Sequence, residues 1–239
     1  MGVRQDMNNQ TRLQSLKNRH LNERGVLVAN GPSLNMMNLG FLKHETSIGL
    51  NKIFLGLRKF HFYPRYFVAV NSLVIEQAKD EIKKLNCIKF IGNCGGDRFI
   101  ENDALTYLVN TRHPPARFSH DISLGVHEGW TVTYSALQIA YYLGFKEVVI
   151  IGMDHRYDYS GNPNEERRLD GADPNHFCGD YFGGGQMWHN PDLEHSEESY
   201  RIARCEFEKD GRRIIDATLD GACQVFEKAD YRQLFSLKS

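Results

Sequence analysis

Short apolar runs alternate with stretches of helical spacing along most of the chain. The first run, Val26 to Ala29, follows Gly25 and predicts a buried strand. Strands that alternate with helices form parallel sheets with right-handed crossovers, so the pattern predicts an α/β domain with a Rossmann-like parallel sheet flanked by helices. Further strands are predicted over 46–50, 66–70, 88–91, 148–151 and 213–215, and helices over 10–24, 73–85, 131–143 and 193–209.

A long polar segment interrupts this alternation in the C-terminal third. Residues 157–191, called the lid below, are rich in glycine, asparagine and aspartate, and a connection of this length is typical of a lid or a binding loop. Phe177, Tyr181, Phe182 and Trp188 argue against disorder in it. We predict a polar helical extension over 1–24 and one domain over 25–239 that carries the lid in its C-terminal region.

Composition and charge limit the classes of partner that the chain is expected to bind. With 41% hydrophobic residues, 25% charged residues and a net charge of −1, the chain has no global field that favours nucleic acid or an anionic membrane. No transmembrane segment or signal peptide is predicted, because no apolar stretch is long enough. The expected location is cytoplasmic, with a peripheral position at the inner membrane face and homo-oligomerisation both left open. Five scattered cysteines are expected to be reduced packing residues: Cys87, Cys94, Cys178, Cys205 and Cys223.

Polar residues follow several predicted strands. Asn30, Asn51, Asn71 and Asp154 each lie just after or near an apolar run. Ligands of parallel sheets bind at the carboxyl ends of the strands, so these side chains are expected to converge on one site. A carboxylate at the position of Asp154 is typical of a contact with a ribose hydroxyl, a metal ion or a substrate, and equally of a structural cap.

The sequence ANGPSL, over 29–34, indicates a phosphate-binding turn. Gly31 permits a close backbone approach, Pro32 favours a helix start, Ser33 supplies a hydroxyl, and exposed N–H groups would favour a phosphate. The pattern is neither G-x-G-x-x-G nor a P-loop, so neither NAD nor a standard P-loop NTPase is indicated. A plain strand-to-helix turn is the alternative.

Four histidines in or beside the lid are considered for metal binding or acid–base chemistry. His155, His176, His189 and His195 lack the close spacing of a zinc motif, so no metal site is predicted from them. Imidazole titrates near neutrality, and His176 or His189 could act as a general acid or base. A surface or structural histidine is the alternative for each.

The order of these motifs resembles a known superfamily. NGPSL after the first strand, an asparagine after each of the next two strands, and SALQIAYYLGFKEVVIIGMD resemble a group of three families. These are the bacterial family 42 sialyltransferases, the flagellin-modifying Maf glycosyltransferases, and the MptE-like domain typified by archaeal 6-hydroxymethylpterin diphosphokinase. The C-terminal motifs NHF-x₃-YFGGG-x₂-WH-x-PD and RRIIDAT look like bacterial MptE-like proteins associated with surface polysaccharide genes.

The sialyltransferase resemblance implies a glycosyltransferase that uses a nucleotide-activated sugar, a CMP-linked nonulosonic acid, in cell-surface glycan biosynthesis. It implies a nucleotide-sugar donor and a glycan acceptor as partners, His189 as the general base, and tyrosines rather than a metal at the departing phosphate, with no cofactor required. The sequence departs from the pattern at 154–157, where Tyr157 and Tyr159 would have to replace the tyrosine pair, and just before the helix, where Glu128 and Gly129 stand in place of the expected arginine. The implied nucleotide contacts are Asn30, Gly31, Ser33, Asn51, Asn71, Thr131 and Thr133, with Asp154 and Tyr157 beside His189 and with His176 and Tyr181 on the lid.

Two alternatives stay open. The diphosphokinase resemblance implies ATP in the same turn and Mg²⁺ held by Asp154 with Asp173 or Asp216. The third hypothesis is a non-catalytic nucleotide-binding module.

Overall fold

The computed structural model of the chain describes residues 9–93, 99–113 and 116–237. Its strands are β1 (Arg24–Val28), β2 (Ser47–Leu50), β3 (Tyr66–Ala69), β4 (Ile88–Gly92), β5 (Thr106–Val109), β6 (Thr111–Arg112), β7 (Val126–His127), β8 (Glu147–Ile151), β9 (Glu166–Leu169), β10 (Gln186–His189), β11 (Arg213–Asp216) and β12 (Glu227–Lys228). Its α-helices are α1 (9–14), α2 (Leu57–Phe60), α3 (Ser72–Lys84), α4 (Val132–Leu143), α5 (Leu193–Lys209) and α6 (Tyr231–Leu234).

Eight strands form one sheet in the order β12-β11-β8-β1-β2-β3-β4-β5, and every neighbouring pair is parallel. The strand β1 lies inside the sheet, where Val26 pairs with Ser47 of β2 on one side and with Val149 of β8 on the other. The chain runs outward from β1 to β5 and then crosses back to β8. The predicted Rossmann-like α/β architecture is confirmed.

Alternate side chains of the strands pack into two apolar layers, one on each face of the sheet. Leu27 belongs to the layer that contains Leu137 of α4 and Phe207 of α5. Val26 belongs to the opposite layer, which contains Ile75 of α3 and the aromatic residues of the lid. Residues buried on both faces explain why these strands are continuous apolar runs in the sequence.

The three long helices have the end signals that sequence reasoning uses. Asn71 accepts a hydrogen bond from the N–H of Val74 at the start of α3, and Asp192 accepts one from the N–H of His195 at the start of α5. The helix α4 ends at Gly144, whose φ of 94° is left-handed. All three helices match their predicted ranges within one residue. Within the described ranges, none of the helices combines the length and apolar character that crossing a membrane requires.

The N-terminal segment differs from its prediction. It is helical only over 9–14 and continues as turns to residue 22. Leu13 and Leu16 are buried in the same layer as α4, and the ring of His20 lies 2.8 Å from the Tyr66 hydroxyl through its Nε2. The described part of this segment therefore packs against the domain instead of extending from it, because its apolar positions cover the edge of the core.

The lid is ordered and carries a hairpin that the sequence pattern does not predict. The strands β9 and β10 pair antiparallel, with Met187 opposite Arg168. Phe177, Tyr181 and Trp188 are buried, so the lid contributes aromatic side chains to the core.

The cysteines match their prediction in part. Cys87 and Cys223 are buried and Cys178 is partly buried, as expected for packing residues. Cys205 is exposed on α5, so the packing prediction is wrong there. Cys94 lies outside the described residues.

Candidate functional site

The carboxyl ends of β1 and β8 lie side by side where the sheet changes direction, and this place is called the crevice below. The chain leaves β1 toward β2 and leaves β8 toward β11, on opposite sides, and ligands of open parallel sheets bind at such a point. The two loops are joined by the backbone, because the N–H of Gly31 donates to the carbonyl of Gly152 at 2.8 Å. Asn30 and Asp154 are thereby brought to one place.

Asp154 and Ser33 form the base of the crevice. The carboxylate accepts the Ser33 hydroxyl at 2.7 Å through Oδ2 and the Ser33 N–H at 3.0 Å through Oδ1. A Cβ on Gly31 would lie 1.8 Å from Oδ2, so this approach requires glycine. Burial raises the pKa of Asp154, and the two hydrogen bonds from Ser33 offset part of that shift.

The arrangement does not fit the expected phosphate turn. The N–H of Gly31 is bonded to Gly152 and the N–H of Ser33 to Asp154, while Pro32 has no N–H to donate. The Ser33 side chain is fully buried and its hydroxyl is used by Asp154. A phosphate in this place would meet a carboxylate instead of free donors, because the protein itself uses the donors of the turn.

Asn30 presents an acceptor. Its Nδ2 donates to the carbonyl of Leu50 at 3.1 Å, which fixes the orientation of the amide because a carbonyl can only accept. Its Oδ1 is buried without a hydrogen-bond partner, and Oδ1 of Asn51 at the end of β2 is in the same condition. A buried acceptor without a partner is costly, and it suits a hydroxyl or an amino group of a ligand.

The lid is bonded to the loop after β1, and its start is bonded to its middle. The N–H of Phe177 donates to the Asn30 carbonyl at 2.9 Å, and Asn35 donates through Nδ2 to the Phe177 carbonyl at 2.8 Å. Asn175 and Asp158 exchange two further hydrogen bonds, at 2.6 and 3.0 Å. The lid residues 175–177 are therefore held against the loop after β1 and against the start of the lid.

His176 lies between those two attachments. Its Nδ1 is 2.8 Å from Oδ2 of Asp173, and its ring stacks on Tyr181 with 3.9 Å between ring centres. The ring of Tyr157 lies 6.3 Å away in an edge-on orientation. The Tyr157 side chain is 37% exposed, and desolvation of its hydroxyl, with the Asp154 carboxylate adding to the effect, raises its pKa to about 12.

His189 and Asn71 meet at the other side of the lid. His189 is the last residue of β10 and is exposed, and its Nδ1 lies 3.5 Å from Nδ2 of Asn71. Oδ1 of Asn71 accepts the N–H of Val74 at 3.1 Å, so the same amide caps α3. The structure thus brings together a predicted base and a predicted nucleotide contact.

Thr131 and Thr133 lie at the start of α4, at the same edge of the sheet. Thr131 caps the helix by accepting the N–H of Thr133 at 3.3 Å, and its hydroxyl lies 3.4 Å from that of Tyr200. Thr133 is buried. The helix start remains a place where an anion would be favoured.

Lys52 is the residue that sequence reasoning missed. It follows Asn51 after β2 and is buried, and its Nζ donates to the Tyr181 carbonyl at 2.8 Å and to Oε1 of Gln186 at 2.5 Å. Burial lowers its pKa to about 8, and the Asp173 carboxylate opposes part of that shift. The one sequence feature that could have pointed to Lys52 is its position next to Asn51. Its hydrogen-bond partners in the lid are 129 and 134 residues away, so no local sequence pattern predicts them.

The carboxylates proposed for Mg²⁺ have separate partners. Asp154 is bonded to Ser33, Asp173 to His176, and Asp216 to Nζ of Lys228 at 2.6 Å. Across the part of the chain that the structure describes, no three His, Cys, Asp or Glu side chains gather where they could hold a metal ion.

Two open cavities lie at the opposite edge of the sheet. One of about 570 Å³ is lined by Arg24, Glu147 and Arg213, and another of about 620 Å³ by His44 and Arg65. These residues begin or precede their strands, so neither cavity belongs to the crevice. Their size alone does not connect them with the polar side chains described above.

Comparison with known proteins identifies a family and a shared fold. The family described as 6-hydroxymethylpterin diphosphokinase MptE-like matches residues 4–160. No curated protein matches the chain. Among solved structures, the Maf glycosyltransferase from Magnetospirillum magneticum AMB-1 is similar at a TM-score of 0.56 and 12% identity, over 95% of this chain and 38% of that one. The chain thus corresponds to well under half of that protein, and the likeness shows the fold.

Proposed function

Because this chain belongs to the MptE-like family, we propose that it is a transferase that binds a nucleotide-activated sugar in the crevice between β1 and β8. The observation that carries the proposal is the buried Oδ1 of Asn30, an acceptor without a partner, on the loop that the Gly31 N–H joins to the loop of Asp154. The fold shared with a Maf glycosyltransferase supports glycosyl transfer. The separate partners of Asp154, Asp173 and Asp216 favour it over diphosphate transfer through Mg²⁺.

The chemistry of the crevice orients the donor. Asn30 and Asp154 accept hydrogen bonds from hydroxyl groups of the ribose or sugar, the role that an acidic residue has at the ribose in related sheets. The phosphate lies away from the Asp154 carboxylate, toward Thr131 and the start of α4. Tyr157, whose pKa is about 12, stays protonated at neutral pH and donates to the departing phosphate.

The donor is a CMP-linked nonulosonic acid and the acceptor a hydroxyl of a cell-surface glycan or its precursor. The acceptor oxygen attacks the anomeric carbon as CMP leaves from the opposite side, so the configuration inverts. The lid, whose side chains Phe177, Tyr181 and Trp188 are buried, shields the reacting atoms from water.

Calorimetric titration with CMP and with ATP, each with and without Mg²⁺, tests the proposal. We expect CMP to bind without the metal. Asn30→Ala removes one acceptor, so it should weaken CMP binding about five- to tenfold, the equivalent of about 1 kcal/mol. Asn86→Ala is the matched control, because Asn86 is exposed between α3 and β4.

Each other outcome of the titration contradicts the proposal in its own way. Binding of ATP that requires Mg²⁺ would indicate diphosphate transfer. Failure of both nucleotides to bind would contradict nucleotide binding in the crevice. An unchanged affinity in Asn30→Ala would remove the crevice from the donor site.

A further inference from the structure

We propose that His176, and not His189, is the imidazole that takes the proton from the acceptor hydroxyl, and that Asp173 is its positioning residue. The inference rests on the proposed function and deepens it, since it assigns the base of the same site. Two observations on different elements carry it: the hydrogen bonds that set the tautomer of each histidine, and the attachment of the lid at the crevice.

The bond to Asp173 sets the tautomer of His176. Nδ1 of His176 is 2.8 Å from Oδ2 of Asp173, whose side chain is 1% exposed. An ionised carboxylate only accepts hydrogen bonds, so Nδ1 carries the hydrogen and Nε2 of the neutral ring keeps its lone pair. The N–H groups of Asn175 and Phe182 donate to the same carboxylate at 2.8 and 3.2 Å, which holds it in place.

The backbone places this ring at the crevice. The residue after it, Phe177, donates its N–H to the carbonyl of Asn30 on the loop after β1. The residue before it, Asn175, donates through its side chain to the carbonyl of Asp158 at the start of the lid. Stacking on Tyr181 fixes the plane of the ring. The His176 side chain is 12% exposed, so it is shielded from bulk water and still reachable.

The contact with Asn71 favours the opposite tautomer in His189. Oδ1 of Asn71 is used by the N–H of Val74, so its Nδ2 faces Nδ1 of His189 at 3.5 Å. An amide nitrogen only donates, so this solvent-exposed contact favours the tautomer in which Nδ1 of His189 accepts and Nε2 carries the hydrogen. Such a ring is a hydrogen-bond donor, suited to the departing phosphate and unsuited to removing a proton through Nε2.

The step balances as follows in atoms and charge. The acceptor O–H bond breaks and its proton moves to Nε2 of His176. The oxygen forms a bond to the anomeric carbon of the donor. The bond between that carbon and the phosphate oxygen breaks, and its electron pair leaves with CMP. The imidazolium, stabilised by the Asp173 carboxylate, then returns its proton to solvent.

The first test is the tautomer, measured by long-range ¹H–¹⁵N correlation on the full chain near neutral pH. His176→Gln and His189→Gln assign the signals. We expect His176 to show a protonated Nδ1 and an unprotonated Nε2, and His189 to show the reverse. A protonated Nε2 on His176 would overturn the assignment.

The second test uses CMP-N-acetylneuraminic acid as the donor and water as the acceptor, with CMP release as the readout. His176→Gln should lower kcat by about 10² to 10⁴ while the affinity for CMP changes less than about twofold. His189→Gln should keep the acidic limb of the pH–rate profile, where the rate falls as the base becomes protonated. Asp173→Asn should lower kcat in the same way and place a proton on Nε2 of His176, because an amide nitrogen can donate to Nδ1.

Full activity of His176→Gln would refute the inference. If the wild-type chain binds CMP but releases none from the probe, the proposed donor is wrong. The tautomer spectrum needs no turnover, so it decides in that case whether His176 is the proton-accepting ring of the crevice.

Discussion

Burial of Lys52 predicts a pH-dependent stability that one substitution removes. Its Nζ is bonded to the Tyr181 carbonyl, Gln186 and Gln77, and it lies 4.3 Å from the ring centre of Phe182. The Lys52 amine binds its proton more weakly in the folded chain than in the unfolded chain, since the pKa of Lys52 is about 8 in the folded chain against an ordinary 10.5. The shift corresponds to about 3 kcal/mol. The free energy of unfolding should therefore rise with pH between about 8 and 10.5, where the unfolded chain binds more protons.

Lys52→Met keeps the length of the side chain and removes the titrating group. It also removes three hydrogen bonds, so its effect at a single pH combines two opposing contributions. The pH dependence separates them. We expect urea denaturation at intervals from pH 7.5 to 10 to show wild type gaining about 2 kcal/mol relative to Lys52→Met. Lys83→Met, at an exposed position of α3, is the control and should not change with pH in this way. Parallel curves for wild type and Lys52→Met would refute the reasoning.

Two further substitutions probe the loops at the crevice. Gly31→Ala should destabilise the fold by several kcal/mol in urea denaturation, because its Cβ would lie 1.8 Å from Oδ2 of Asp154, whereas Gly171→Ala has open space and should be near neutral; equal stabilities would contradict this geometry. Asn71→Ala should cost about 1 kcal/mol by removing the cap at Val74, and Asn71→Asp should restore most of it; if both variants unfold at the same urea concentration, the cap contributes nothing.

The fold was predictable where burial and end signals are local. The apolar runs of β1, β3 and β8 are continuous because both faces of the sheet are covered, and α5 begins at Asp192 as its cap predicts. The hairpin of β9 and β10 was not predictable in this way. Its strands read ERRL and QMWH, and they lack the apolar alternation of a half-buried strand.

The sequence predicts where the candidate site lies in the sheet, but it does not predict the hydrogen-bond partners of the side chains there. Strand ends located Asn30 and Asp154 at one edge, because this follows from the parallel order. The partner of each side chain depends on residues far along the chain: Ser33 bonds Asp154 over 121 positions. The tautomer of His176 depends on Asp173, which is only three positions away in the sequence. The four residues DPNH do not by themselves predict this contact, because it forms only when the lid is folded around them.

The position of β1 in the sheet has a consequence for synthesis. The nascent chain completes β1 at Val28, and the strand that covers one of its edges, β8, begins at Glu147, about 120 residues later. At about 5–20 residues per second, that edge waits roughly 6–24 seconds on the ribosome. An apolar strand with an unpaired edge is a template for aggregation, so chaperones that bind extended apolar segments should be needed most before residue 151 emerges.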